Sequence, residues 1–298
     1  MAAYFRIKSK GELGMKLFNR SWQMCLFSFR KWSTNHRVWI AIILLFILTH
    51  AYTIDYSSFC NNMNIKMSPC IFPFLYNVRY IKILFFSPLL LIFCDAPFID
   101  PSQPYVIYRS GKTAWSIGQI LYIMMTSAMY FAFLFLISNL FILNNVDFSI
   151  DGWGKAFGTL ANTNASTAMG LRTFISKRVL TYFTPWQAVW FTFLLSWLSG
   201  TFLGLLMYSI NSISGFRSLG IIASAFFIIL DAAVLGYPHA VWLSPVSWSS
   251  VDNIDIGNMS QLPHIAYVYT AFFLIISVLI ASSIITNRKQ HINVLQPV

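Results

Sequence analysis

AWSIGQILYIMMTSAMYFAFLFLISNLFIL, residues 114–143, runs for thirty positions without one Asp, Glu, Lys or Arg. A helix rises about 1.5 Å per residue, so this stretch outreaches a bilayer core roughly 30 Å thick. It dictates a transmembrane helix. Five more runs, 38–54, 76–99, 185–210, 219–236 and 265–286, share its apolar character. The expected fold is therefore all-α: a polytopic membrane helix bundle of about six transmembrane helices.

Composition agrees with that reading. Hydrophobic residues make up 57% of the 298 positions and charged residues only 10%, against roughly 25% charged in an ordinary soluble domain. The net charge of +11 does not point to nucleic acid, because eight of the twenty Lys and Arg precede the first span. Basic residues gathered beside a first span mark the cytosolic side and suit anionic membrane lipid. With the amino terminus inside, residues 1–37, 100–113, 211–218 and 287–298 are cytosolic and carry 13 of the basic residues. Segments 55–75, 144–184 and 237–264 then form external loops, and the carboxy-terminal tail is cytosolic. The first apolar run begins too late, and continues too far, for a cleavable signal peptide.

Before the first span, Met15, Phe18, Trp22, Cys25, Phe29 and Trp32 recur at spacings of three and four, with Lys16, Arg20, Arg30 and Lys31 between them. Residues 1–37 thus read as an amphipathic helix lying in the membrane interface. The 144–184 loop is too long for a plain connector, and its run 166–182 is helix-compatible, so it is expected to carry structure. Trp242, Pro245 and Trp248 in 237–264 suggest a segment that partly re-enters the interface.

Between the second and third spans, Asp100-Pro101 and Gln103-Pro104 offer helix starts and Gly111 a stop. The short helix they bound would present Tyr105, Ile107, Tyr108, Arg109 and Lys112 to a partner groove or to lipid. Ser110-Gly111-Lys112-Thr113 ends like a phosphate-binding loop, but Val106 stands where the motif needs glycine. Any ATP chemistry belongs to another chain.

Charges inside a span are costly and mark function. Asp231 lies in the fifth span, and Arg79 and Lys82 near the outer end of the second. They are candidates for a translocation pathway, in which the two bases pair with Asp231 or meet an anionic substrate group, with snorkelling to the interface as the alternative for both. Asp95, at the inner end of the second span, has Arg109 and Lys112 as prospective partners. Ser196, Gly200 and Gly204 recur every four residues, a small-residue face for close helix packing within one subunit or between two. Cys60 and Cys70 share one loop, as a disulfide or as two free thiols. No catalytic constellation is present, and the five His are too scattered for a metal site.

The order of these features resembles an ABC-2-type transporter permease of the bacterial exporter kind. The local likeness is carried by residues 95–100 (DAPFID), Tyr108-Arg109-Ser110-Gly111-Lys112 through Trp115, and Ser244-Pro245-Val246-Ser247-Trp248 before the last span. The resemblance implies the following. Residues 100–113 form a coupling segment, touching a separate ABC ATPase subunit through Tyr105, Ile107, Tyr108 and Arg109. ATP and Mg belong to that subunit. A second permease subunit, identical or related, completes the transporter in a bacterial cytoplasmic membrane. The family's connection between spans three and four is often short, whereas here it covers about 40 residues. Two other classes stay open: a membrane enzyme acting on lipid through Asp95 or Asp231, and a nonenzymatic membrane partner or receptor.

Overall fold

The computed structural model describes residues 2–98, 103–149, 152–163, 165–168, 170–233, 238–256 and 261–289. Its helices are α1 (Ala2–Arg30), α2 (His36–Met63), α3 (Arg79–Phe93), α4 (Gln103–Ser110), α5 (Lys112–Phe141), α6 (Gly154–Asn162), α7 (Ala165–Ala168), α8 (Lys177–Tyr182), α9 (Pro185–Ser214), α10 (Arg217–Ala233) and α11 (Ile265–Lys289). No strand occurs among the described residues. Four helices, α2, α5, α9 and α11, are long and apolar enough to cross a membrane. The parts of the expected segments at 99–102, 234–236 and 290–298 lie outside the described residues.

One of the six expected spans, 76–99, is shorter than expected. α3 keeps 15 residues of 76–99, about 22 Å of helix. It starts late because 72–74 form a 3-10 turn and Val78 is extended. Pro88 inside it removes a backbone donor. α10 covers 219–233 of its expected span, with 17 described residues, and 234–236 lie outside the described residues. α3 and α10 lie side by side, held by two sets of side-chain contacts. At one end Asn211 Nδ2 donates to Ala96 O (2.8 Å), and Gly220 N donates to Asn211 Oδ1 (2.7 Å). At the other, Lys82 of α3 meets Asp231 of α10.

α2, by contrast, continues nine residues past the expected end at 54 into the first loop. Asn35 caps its start by accepting from Arg37 N (3.0 Å), and Asn64, in the left-handed region (φ 52°), stops it. Thr184 and Gln187 form a reciprocal capping box at the start of α9. α9 is the most enclosed of the four long helices and packs against α3, α5, α10 and α11. α11 is the least enclosed and turns Phe273, Leu274 and Val278 outward.

The expected amphipathic helix is α1, but its inner face is not the apolar one. Ser21, Cys25 and Ser28 are buried, while Met15, Phe18, Trp22 and Leu26 are exposed. A Cβ added at Gly118 of α5 would lie 2.6 Å from Met24 Cβ and 2.8 Å from Ser21 O. Small residues therefore bring α1 against α5, which leaves the large apolar side chains for lipid. Trp32 Nε1 donates to Tyr122 OH (2.8 Å) and fixes the end of this contact.

The helix-compatible run 166–182 is two short helices, α7 and α8, separated by a non-helical stretch around Gly170 (φ 67°). With α6 they cap the bundle end opposite α4. Met67 pairs with Val146 across an isolated bridge, and Phe74 stacks with Trp153 and Phe157.

Candidate functional site

Two regions concentrate the residues singled out from the sequence. The first is the corner where α1, α4 and α5 meet. α4 spans two turns: Ile107 and Ser110 face inward, and Tyr105 and Tyr108 face outward, 75% and 94% exposed. Gly111, at φ 88°, is the single residue between α4 and α5, and its N–H donates to Ile107 O (2.8 Å). Residues with a Cβ rarely adopt that angle, so glycine makes the corner. A groove of about 500 Å³ separates α4 from α1, with Arg20, Gln23 and Met24 on one side and Val106, Arg109 and Ser110 on the other. Arg109 is exposed, and Lys112 opens α5 half-buried.

The second region lies at the opposite end. Lys82 Nζ stands 3.5 Å from Asp231 Oδ2, and both side chains are fully buried. Lys82 Nζ also donates to Ser247 O (3.1 Å), a carbonyl that accepts from Asn253 Nδ2 (2.9 Å) as well. Ser247 Oγ donates to Asp231 Oδ1. Burying two charges costs several kcal/mol each unless each finds a partner and hydrogen bonds, and here Ser247 supplies both a donor and an acceptor. The pair fastens α3 to α10 through the 3-10 turn Ser247–Ser249.

That turn belongs to a segment which enters the bundle. Ser244, Ser247, Ser249 and Ser250 are buried, and Trp248 packs its ring on Tyr267 and Phe272. Non-helical backbone at such depth survives only when protein satisfies its polar groups. Ser196 Oγ donates to Ser249 O (3.4 Å), Ser199 Oγ to Pro245 O (2.9 Å), and Trp248 Nε1 to Val241 O (2.8 Å). From the cap, Ser176 Oγ donates to Asp252 Oδ1 (2.5 Å), and Arg178 Nη2 donates to the carbonyls of Asp252 and Ile254. Arg79, one turn before Lys82, is half-buried, and its Nη1 is sealed from solvent with no hydrogen-bond partner.

The remaining candidates are dispersed. Gly200 and Gly204 admit α3 and α5: an added Cβ would lie 2.3 Å from Ser127 Oγ at Gly200 and 2.5 Å from Ile123 Cγ2 at Gly204. Ser196 shares a 2.5 Å hydrogen bond with Tyr76 OH. The small-residue face is thus filled from within the same chain. Cys60 and Cys70 are both buried free thiols, so the disulfide alternative is not realised. Cys60 lies on the last turn of α2, and Cys70 lies beyond it. Burial pushes the Cys70 thiol up to about 11. Asp95 takes Arg37 of α2 as its ion-pair partner, where the sequence offered Arg109 and Lys112. No cluster of metal-ligating side chains occurs among the described residues.

Sequence reasoning missed Ser247 as the bridging group, although it lies inside the motif 244–248. A buried serine in a turn carries no spacing signal. It also missed Gly118, although Ala114 four positions before it on α5 gives a small-residue spacing that could have found it.

No family model matches this chain, and neither the curated proteins nor the solved structures contain a match.

Proposed function

We propose that this chain is the membrane-spanning permease subunit of an ATP-driven exporter, with ATP and Mg handled by a separate ATPase subunit. The observation that carries the reading is α4. It is an eight-residue helix held on the bundle by Ile107, showing two tyrosines outward and joined to α5 through one residue. Packing alone gives a membrane protein no reason to display Tyr108 in this way, whereas a partner groove that accepts an aromatic ring does.

In this reading α3 and α10 complete six crossings as short helices screened by their neighbours. α1, α4 and both termini face the cytosol of a bacterial cell, and a second permease subunit faces this one. Closure of the ATPase pushes on α4. Gly111 passes the displacement to α5, and α1 moves with α5 because Gly118 seats one on the other. Arg79, Lys82 and Asp231 belong to the far end of the translocation path, where the ion pair holds α3, α10 and the inserted segment together. An acid–base role in lipid modification fits less well, since Asp231 is sealed from solvent and Asp95 is paired with Arg37.

The test is purification under mild extraction with endogenous partners. An ATPase subunit is expected to accompany the chain. Tyr108→Ala with Arg109→Ala should release it while membrane insertion continues. Recovery of the chain without any ATPase favours the receptor reading.

A further inference from the structure

The inserted segment carries two successive 3-10 turns, Ser247–Ser249 and Val251–Asn253, and two helix starts close on it. From α3, Lys82 Nζ donates to Ser247 O, while Asn77, just before the helix, accepts from Ser250 Oγ (2.9 Å). From α8, Arg178 Nη2 donates to the carbonyls of Asp252 and Ile254. The stretches leading into the two helices also touch, since Asn77 Nδ2 donates to Phe174 O (3.3 Å). Arg79, Lys82 and Arg178 are thereby gathered around residues 247–254.

The charges in this cluster do not cancel. Arg79, Lys82 and Arg178 bring three positive charges against two negative ones from Asp231 and Asp252, which leaves +1. The neighbouring charges are engaged elsewhere or open to water. Arg172 pairs with Asp55 (3.8 Å), Asp255 has a partner of its own, and Lys177 is exposed. A net charge withdrawn from water is costly unless an opposite charge offsets it.

Two N–H groups mark where that opposite charge belongs. Arg79 Nη1 and Arg178 Nε are both sealed from solvent, and neither has a hydrogen-bond partner among the described residues. A buried donor without an acceptor bears its full desolvation cost, so each calls for one. Water would satisfy a donor and leave the charge, whereas an anion does both. The start of α3 favours the same sign: Val78 supplies no side-chain cap, so the positive end of the helix adds to the guanidinium of Arg79. We infer that Arg79 and Arg178 bind one small inorganic anion of the chloride class beside the inserted segment. It closes the charge balance and ties α3 and α8 to that segment. Donors sealed from bulk water admit a compact ion rather than a phosphate ester or a peptide carboxylate. The site needs only the fold, so it stands or falls apart from the exporter reading.

The experiment uses the full chain in mild detergent, with chloride replacing gluconate at a constant ionic strength of about 0.15 M. The thermal midpoint should rise by several degrees and saturate with chloride, as binding to the folded state alone requires. Bromide should substitute for chloride, and radiolabelled chloride should be retained at one ion per chain. Arg79→Gln and Arg178→Gln should each remove the chloride dependence, while Arg20→Gln, which removes a cation from α1, should keep it. Equal midpoints in chloride and gluconate would mean that water alone meets these donors and would overturn the assignment. A chloride dependence unchanged in Arg79→Gln would overturn it as well. Arg79 is half-buried and its Nη1 has no partner to lose, so this variant decides the question even where Arg178→Gln fails to fold.

Discussion

The two ends of the bundle are built on opposite plans. At the α4 end the connections are tight: one residue between α4 and α5, and a two-residue turn between α9 and α10. The side chains gathered there point outward, Tyr105 and Tyr108 foremost. At the other end the connections are long and fold inward, carrying four serines and Trp248 into burial beside the Lys82–Asp231 pair of α3 and α10. One end leaves aromatic side chains exposed, and the other satisfies its own polar groups. A difference of this kind makes residue effects predictable. Substitutions at the inward end should act on stability, and those at the outward end on association.

The sharpest way to break the comparison is at the ion pair. Removing one partner strands the other charge in the bundle, at a cost of about 3–5 kcal/mol. Asp231→Leu and Lys82→Met, made singly, should therefore lower the thermal midpoint in detergent severely or prevent recovery of folded protein. The double variant Lys82→Met with Asp231→Leu should regain most of the loss, because apolar replacement of both members leaves no stranded charge. If the single variants melt with the parent, the far end is not held by this pair.

The next effect belongs to α9. Valine at Gly204 would drive a branched side chain into Ile123 and Phe93, which already lie within 3.0 Å of an added Cβ. Overpacking of this sort costs about 1–3 kcal/mol. A drop of that size, read from thermal unfolding without change in oligomeric state, places the small-residue face inside the subunit. A change of oligomeric state at constant midpoint would place it between subunits.

These two sites also mark how far the sequence could be read. The four long helices were legible because apolar runs of 17 to 30 residues leave a bilayer-spanning helix as the natural outcome. Asp231 and Lys82 were legible as costly charges, and α4 was legible from Gln103-Pro104 and Gly111. Pairing of Asp231 with Arg79 or Lys82 was legible as an option, because a charge inside a span needs a partner; that Lys82 takes it and Arg79 does not was hidden, since 149 positions separate Lys82 from Asp231 and neither carries a local signal of the other. The ends of α3 were hidden for a different reason. Hydropathy reads composition, and 76–99 is apolar enough, but helix length depends on where the backbone turns. The inner face of α1 was not legible because Ser21, Cys25 and Ser28 carry no strong hydropathy signal, whereas in a bilayer large apolar residues can face lipid and leave small residues to pack.

A thiol gives a smaller and more local test. Cys70 is buried and its pKa lies at about 11, above the ordinary value, because burial disfavours the thiolate. At pH 8 little of it is ionised, so a water-soluble maleimide should label native Cys70 at least tenfold more slowly than the same residue after denaturation. The sign follows for stability as well. The folded state prefers the protonated thiol, so this preference is complete below the unfolded pKa near 9 and is lost as pH rises through about 11. Rapid native labelling at pH 8 would mean that the inward end opens.

The smallest expected change in stability is at Tyr108. Its side chain is 94% exposed, and surface substitutions away from special features usually fall within about 0.5 kcal/mol. Tyr108→Ala should accordingly leave the unfolding midpoint where it was. If Tyr108 instead supported the fold, as Trp248 does by packing on Tyr267 and Phe272, truncation would cost several times more. The same variant then sharpens the comparison in the other direction. A ring that contributes nothing to its own chain, yet whose removal weakens capture of a second protein, contributes to association alone. A loss of stability from Tyr108→Ala comparable to that from Gly204→Val would place α4 in the packed body of the molecule and remove the distinction between the two ends.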